Sequence, residues 1–469
     1  MVDTLLNIGI AFSREKNIDK LIEIVIDSMM GLVNCDGGTL YLLENDELHF
    51  KIMITKSLGF RRSVGQSEGM PPPMPLSRES MCARAALDKT LINIDDVYEN
   101  KDFNFTGSKK VDEHMGYRTR SMLTVPMEDD HGDVIGVLQL INALDEGNNA
   151  IPFAHEYEKV LLSVASQAAI CLTNRKYATE VMNLLDSFVI AMSAAIDERS
   201  PYNANHSRNM ARYGKRFIEW MNTNGGEHFD PERERKFLMS LLLHDIGKLV
   251  VPREVMDKET RLGPKLGAVL DRFTVLGMQA EIDWLRNEID DDVYAMKIKE
   301  IDEARELVKK ANASGFIPDD TMEKLKTLCQ KEGFLTPEEQ RCLMVRRGTL
   351  TEEERTVMEG HVEMTRRILS EVRFPKNYRM VPVWAAAHHE FLNGKGYPNQ
   401  LTAEQIPTEV RIATILDIYD ALTAHDRPYK RGLPDEKAFE ILGDMAAQEQ
   451  IDAGLLALFK ESGAWNDEV

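Results

Sequence analysis

The chain has 469 residues, enough for two or three domains of ordinary size. It is 43% hydrophobic and 29% charged, a balance that builds globular cores and excludes a disordered chain. With 57 Lys+Arg against 77 Asp+Glu the net charge is -20, which excludes a duplex-DNA binder, whose basic footprint neutralises phosphates, but leaves room for a small phosphorylated ligand where metal ions supply the positive field.

In chain order, residues 4–33 carry apolar side chains at helical spacing (Leu5, Ile8, Ile22, Val25, Leu32). Residues 39–43 (TLYLL) and 48–54 (LHFKIMI) read as a hairpin about an Asn45-Asp46 turn, and residues 121–126 and 134–141 as two further strands. From 156 to 196 the pattern is one long helical run, either a plain connector or a signalling helix that pairs two protomers. Residues 259–345 read as a helical insertion, with runs at 266–287, 295–311 and 321–330 separated by turn signals at 317–320 and 335–337. The five cysteines, Cys35, Cys82, Cys171, Cys329 and Cys342, are scattered, so neither a disulfide framework nor a zinc-thiolate site is expected. No apolar stretch in this reading approaches the ~20 residues of a bilayer span. The N-terminus lacks a signal-peptide pattern, and a cytoplasmic protein without membrane attachment is expected.

The order helix, G-G-T-L-Y-L-L, R-S-M-L-T-V-P and G-V-L-Q-L-I-N over residues 1–175 resembles a GAF domain. That resemblance implies an α+β sensory module with a regulatory role and an unknown small ligand, or none. Residues 69–75 (GMPPPMP) would form a stiff loop near the pocket usual for the fold.

Four further clusters carry chemistry. In residues 241–248 (LLLHDIGK), positions 241, 244, 245 and 248 share one face if the segment is helical, placing His244, Asp245 and Lys248 beside Leu241. A charged set on an apolar face is costly unless compensated, and metal ions compensate it; a buried His-Asp pair is the plainer alternative. His361 stands alone on a second helix. His388-His389-Glu390 follows three alanines, and adjacent imidazoles lie ~100° apart around a helix, so both can line one cavity. Asp417 and Asp420 are spaced i,i+3 on an apolar helix, a pair more often hydrogen-bonded than metal-bound.

Together with Gly394-x-Gly396-Tyr397-Pro398 and Arg427-Pro-Tyr-Lys430, these clusters resemble the HD-GYP family of metal-dependent phosphohydrolases over about 180–258 and 346–469. The resemblance implies an all-α HD-GYP domain over 180–469, interrupted by 259–345 and entered through the helix at 156–196. It implies metal ligands at His244, Asp245, His361, His388, His389 and Asp417, with His206 a further candidate and Asp245 the bridging carboxylate. Lys248 matches the lysine that contacts the scissile phosphate; Gly396 and Tyr397 shape the substrate loop, and Arg427 and Lys430 contact substrate or support that loop. The implied cofactors are two divalent ions, iron or manganese, and the implied substrate is cyclic di-GMP, hydrolysed to pGpG or GMP. A homodimer paired through the helix at 156–196 is expected from its apolar repeats, and a protein partner at the GYP loop is a further expectation. Imidazole and carboxylate ligands without thiolate agree with that choice of metal.

Three positions depart from the family pattern. Tyr202 stands where some members place a glutamate that helps hold a third metal, so two metals are expected; Glu198, a turn earlier, is expected to be solvated. Asn393 replaces an aspartate before the G-x-G-Y-P motif, and residues 259–345 replace a short connection. Two competing readings stay open: hydrolysis of another cyclic dinucleotide such as cyclic GMP-AMP, and a catalytically silent signalling protein that keeps metals for structure.

Overall fold

The computed structural model describes residues 2–63, 70–199, 205–424 and 432–466. The chain divides into two units, Met1–Leu184 and Leu185–Val469.

The first unit opens with α1 (Val2–Arg14) and α2 (Ile18–Leu32). The single run read at 4–33 is split because Asn17 leaves the helical conformation and its side chain caps α2 by accepting the Lys20 N–H. One stripe of α2 (Leu21, Ile22, Val25, Ile26, Met29, Met30) is buried. The strands are β1 (Cys35–Glu44), β2 (Glu47–Thr55), β3 (Phe60–Ser63) and β4 (Met74–Pro75). After α3 (Met81–Asp88), β5 (Ile92–Ile94) and α4 (Thr106–Met115) come β6 (Met122–Glu128), β7 (Val134–Leu144) and β8 (Ala150–Ile151). They form one antiparallel sheet of order β3-β2-β1-β7-β6-β5, with β4 added to β2 and β8 to β7. The sheet buries one face against α1, α2 and the start of α5 (Glu158–Asp197), whose Leu161, Val164, Ala165, Ala168, Ala169 and Leu172 lie in this core. This is the antiparallel GAF-type sheet with helices that the sequence implied.

The α5 helix corrects one sequence expectation. Within His155–Asp197 an 18-residue stretch has a mean hydropathy of 1.3 with no more than two charged residues, so by length and composition alone the helix passes for a membrane span. The start of the helix is packed in the core of the first unit, whereas the apolar stretch itself is only 17% buried, with its Asp186 ion-paired to Arg235.

The second unit is helical: α6 (His206–Asn224), α7 (Pro231–Leu243), α8 (Arg253–Met256), α9 (Lys265–Leu285), α10 (Asp291–Ala313), α11 (Asp319–Cys329), α12 (Pro337–Leu343), α13 (Glu352–Glu359), α14 (His361–Ser370), α15 (Val381–Ala385), α16 (Thr408–Thr423), α17 (Asp435–Ala447) and α18 (Ala453–Ser462). Among its described residues two separate cores stand out. One, around Phe217, Phe237, Leu241, Ile412, Leu416, Tyr419 and Phe459, joins α6, α7, α16, α17 and α18. The other, around Phe273, Ile301, Val308, Leu325 and Leu343, belongs to α9–α12 alone. The turn signals at 317–320 and 335–337 coincide with the starts of α11 and α12, the latter opened by a Thr336–Glu339 capping box.

The ends of this inserted segment are tied together. The Lys258 ammonium meets the Glu354 carboxylate at 2.6 Å, and Thr349 Oγ1 donates to the Lys258 carbonyl at 2.9 Å. Fully buried Arg261 donates to the carbonyls of Val345 (2.7 Å), Ala311 (2.7 Å), Ser314 and Arg346 (3.4 Å). A long excursion closed at its base costs little more than a short one, because loop entropy grows only logarithmically with length.

Candidate metal centre

α7 starts at an Asp230 cap, whose carboxylate accepts the Glu232 and Arg233 N–H groups, and ends at Leu243. The one-face helix predicted over 241–248 is therefore corrected: His244 is the C-cap, and a 3₁₀ turn occupies Ile246–Val250. The cause is a competing hydrogen-bond partner. Thr365 Oγ1, from α14 and fully buried, accepts the Gly247 N–H and donates to the His244 carbonyl, both at 2.9 Å. Gly247 permits this approach, since a Cβ there would lie 1.8 Å from the His361 carbonyl oxygen.

The adjacent histidines are likewise not on a helix. α15 stops at Ala385, and His388 and His389 lie in the turn that follows, their rings 4.1 Å apart between centroids. Thr414 Oγ1 on α16 donates to the His388 carbonyl at 2.8 Å and holds that turn. His361 opens α14 and His206 opens α6, while Asp417 and Asp420 sit one turn apart on α16.

Three of the histidines share one anchoring pattern. His244, His361 and His388 place Nδ1 on the carbonyls of Leu241 (2.7 Å), Met358 (2.6 Å) and Ala385 (2.7 Å). A carbonyl only accepts, so Nδ1 carries the proton and Nε2 presents a lone pair. Nε2 of His361 and of His388 and Oδ1 of Asp245 are buried without a hydrogen-bond partner among the described residues. Asp245 Oδ1 lies 3.4 Å from His361 Nε2 and 3.9 Å from His388 Nε2. Buried lone pairs facing one another carry a desolvation cost that a cation removes.

Three sets each hold donor atoms within 4.8 Å of one another: His361, His388 and His389; His206, His244 and Asp417; and His244, Asp245 and His388. All six ligands implied by the resemblance, and His206, thus fall in one cluster whose donor chemistry fits divalent cations. Carboxylates and tautomer-fixed imidazoles are the ligands such ions take.

Charge within the cluster is distributed unevenly. His206 places Nδ1 2.6 Å from Asp420 Oδ2, and its Nε2 is 3.2 Å from Asp417 Oδ1. Burial opposes a charge on its ring, but these two carboxylates outweigh it and raise the pKa to about 10. Burial alone would raise the Asp245 carboxyl; His244 and Lys248 instead hold it well below the usual range. Burial depresses His361, depresses His388 strongly with help from His389, and takes His389 to about 4. The result is neutral imidazoles at His361, His388 and His389 beside an ionised Asp245, with a charged imidazole at His206. Lys248 Nζ rests on Asp245 Oδ2 at 2.5 Å.

The loop after the histidines is built against them. Glu390, 2% exposed, accepts the N–H of Asn399 (2.7 Å) on one oxygen and of Leu401 (2.9 Å) on the other. Gly396 lies so close that a Cβ would meet the Phe391 nitrogen at 2.3 Å and the His389 carbonyl oxygen at 2.6 Å. This brings the half-buried Tyr397 ring to 4.8 Å from the His389 ring. Asn393, at the departure from the family pattern, donates to the Gln448 carbonyl at 3.1 Å and accepts the Lys395 N–H at 3.1 Å.

Arg427, Lys430 and Tyr202 lie outside the described residues. Glu198 is exposed, as expected, but its neighbour Asp197 is 3% exposed and accepts from Ser207 beside His206. Asp197, Thr365 and Thr414 were missed from sequence, because a lone Thr or Asp on a helix has no spacing signature. Glu390 was visible only as the third letter of His-His-Glu.

In the first unit, a cavity of about 530 Å³ opens between the sheet and α3–α4. Tyr41, Phe50, Phe105, Met53, Met81 and Gln139 line it, and Pro71 and Met74 of the proline-rich loop reach its wall.

The combination of an antiparallel sheet flanked by helices and a helical unit with a His/Asp cluster defines a two-domain class. The GAF domain profile matches residues 17–172 and the HD domain profile residues 304–455. The HD match begins inside α10 and stops short of His206, His244 and Asp245, which folding returns to the same cluster. Among curated proteins the chain is similar to the 3'3'-cGAMP-specific phosphodiesterase 3 of Vibrio cholerae, 37% identical over 95 residues that cover 20% of each chain. It is similar to the cyclic di-GMP phosphodiesterase response regulator RpfG of Xanthomonas campestris, 36% identical over 102 residues, 21% of this chain and 26% of that one. It is also similar to the cyclic di-GMP phosphodiesterase of Thermotoga maritima, 34% identical over 123 residues, 25% and 33% of the two chains. The matches thus span a fifth to a third of these relatives. The chain carries a GAF domain followed by an HD domain.

Proposed function

We propose that the second unit is a metal-dependent phosphodiesterase acting on a cyclic dinucleotide, with cyclic di-GMP as substrate and pGpG or GMP as product, under control of the GAF domain. The observation that carries this reading is the convergence of unpartnered Asp245 Oδ1, His361 Nε2 and His388 Nε2 beside Lys248. His244, Asp245, His361, His388, His389 and Asp417 would hold two divalent ions, iron or manganese. Such ions, when bound, lower the pKa of water and polarise a phosphate oxygen. Lys248 stands 2.5 Å from Asp245, within reach of a phosphate drawn to the cluster, and would stabilise charge on its oxygens. The Tyr397 ring lies 4.8 Å from that of His389, and its aromatic face would stack on a base. No side-chain nucleophile is required.

A second reading, turnover of cyclic GMP-AMP, is favoured by the names of two relatives, both 3'3'-cGAMP-specific phosphodiesterases. The test is hydrolysis of both cyclic dinucleotides by anaerobically purified, metal-loaded protein, beside Asp245→Ala and His244→Ala. Turnover should vanish in both variants, and Asp245→Ala should lose most bound metal. Wild-type protein with two ions per chain and no turnover of either compound would favour a silent signalling protein, and full activity in Asp245→Ala would remove the site assignment. The same proposal includes a homodimer, a protein contact at the 394–398 loop and a cytoplasmic setting.

A further inference from the structure

Where α12 ends and α13 begins, the second unit carries a cleft of about 640 Å³ lined by Arg341, Arg346, Arg347 and Arg355, with Glu352 and Glu353 on the same wall. Four arginines against two glutamates along one opening are a local reversal of sign in a chain of net charge -20. Arg346 is ion-paired to Asp319. Arg341, Arg347 and Arg355 have no ion pair among the described residues, although Glu353 feels a weak pull from Arg341.

The backbone that carries these groups is fixed. Arg347 pairs with Phe316 in an antiparallel bridge, and the Gly348 N–H donates to the Gly315 carbonyl at 3.0 Å. The buried Arg261 guanidinium grips the Val345 and Arg346 carbonyls from beneath. The Arg346 and Arg347 side chains lie over the Phe316 ring, 5.6 and 5.7 Å from its centroid. A guanidinium presents a planar fork of donors that matches phosphate oxygens, and Arg346 and Arg347, resting on Phe316, lose less entropy on binding than free side chains would. A terminal phosphate, with about two charges and three free oxygens, suits several forks; an internal phosphodiester, with one charge and two free oxygens, suits fewer.

We propose that this cleft binds the terminal phosphate of a small molecule of the nucleotide class and reports its occupancy to the metal cluster through α13. Arg355 lies on α13, which ends at Glu359, and His361 follows after Gly360. A ligand tying Arg355 to Arg341 and Arg347 therefore biases the helix that positions His361. If ring opening is the reaction, which rests on the reading above, the linear product carries a terminal phosphate and the cyclic substrate does not.

Calorimetric titration of the full chain with inorganic pyrophosphate, GTP, the linear 5'-phosphorylated dinucleotide and cyclic di-GMP tests the site without requiring turnover. Pyrophosphate should bind once per chain and weaken as salt rises; GTP or the linear dinucleotide binding more tightly identifies the source of the phosphate. The double variant Arg347→Gln/Arg355→Gln, with metal content and circular dichroism unchanged, should bind each of them about tenfold more weakly or worse. Arg341→Gln alone should show a smaller loss, and cyclic di-GMP affinity should not change in either variant. Undiminished pyrophosphate binding in the double variant would place the phosphate at the metal cluster and overturn the proposal. So would the absence of saturable binding, or binding of oligonucleotides alone with affinity that grows with length.

Discussion

Thr365 shows how one hydroxyl can determine the shape of a metal cluster. It takes both the carbonyl that α7 would have used to continue and the N–H of the tight turn, and it does so from the helix that starts with His361. Thr365→Val keeps the shape but leaves the buried Gly247 N–H unpaired, at a cost of about 1–3 kcal/mol. Thr365→Ser should recover most of it. Thermal denaturation measures the loss, and a metal titration should show weaker binding in Val than in Ser; equal metal affinity in the two would make the hydroxyl purely structural. Gly247→Ala probes the same contact from the other side. Its Cβ has no room against the His361 backbone, so a cost of about 3 kcal/mol is expected together with loss of metal. Gly360→Ala, whose Cβ would come no closer than 3.2 Å to a carbonyl, is the mild comparison.

Elements were legible in sequence where one local pattern decided them. The hairpin β1–β2, the long α5 and the starts of α11 and α12 followed from β-branched and apolar content about a turn, helical spacing and turn signals. The ligand types were legible too, as His and Asp in family order. Their settings at 244–248 and 388–389 were not, because Thr365 and Thr414 act across 121 and 26 residues and no local rule sees them. The outer face of α5 shows the opposite case, a pattern visible in sequence with a consequence only the exposure makes clear. Tyr177, Val181, Leu184 and Phe188 recur at 4-3-4 spacing and are 50, 60, 71 and 44% exposed. That spacing is the seam of a two-stranded coiled coil, and a second copy of the same helix is the partner it fits. Leu184→Glu would put like charges face to face in such a seam, so it should convert a dimer to a monomer in analytical ultracentrifugation without changing the metal content. An unchanged sedimentation coefficient would remove α5 as the dimer contact.

Across the whole molecule, each unit holds cores of its own, and every residue of the metal cluster lies in the second. The cluster collects two imidazole lone pairs and one oxygen of a buried carboxylate that no hydrogen bond among the described residues satisfies, so the folded second unit carries a penalty that cations relieve. Binding to the native state alone stabilises by about 2.7 kcal/mol when free metal exceeds its Kd by a factor of about 100. For a unit of this size that corresponds to roughly 4–5 °C in Tm. A chain with separate cores need not unfold in a single step, and two calorimetric transitions are the expected behaviour. Chelation should therefore lower one transition by about that amount and leave the other in place, because the GAF unit contains none of the donor residues. Restoring iron or manganese should return it, and Asp245→Ala should abolish the response to both treatments. A chelator that moved both transitions together would mean that the units unfold as one cooperative body, and that metal at the HD cluster stabilises the sensory domain directly.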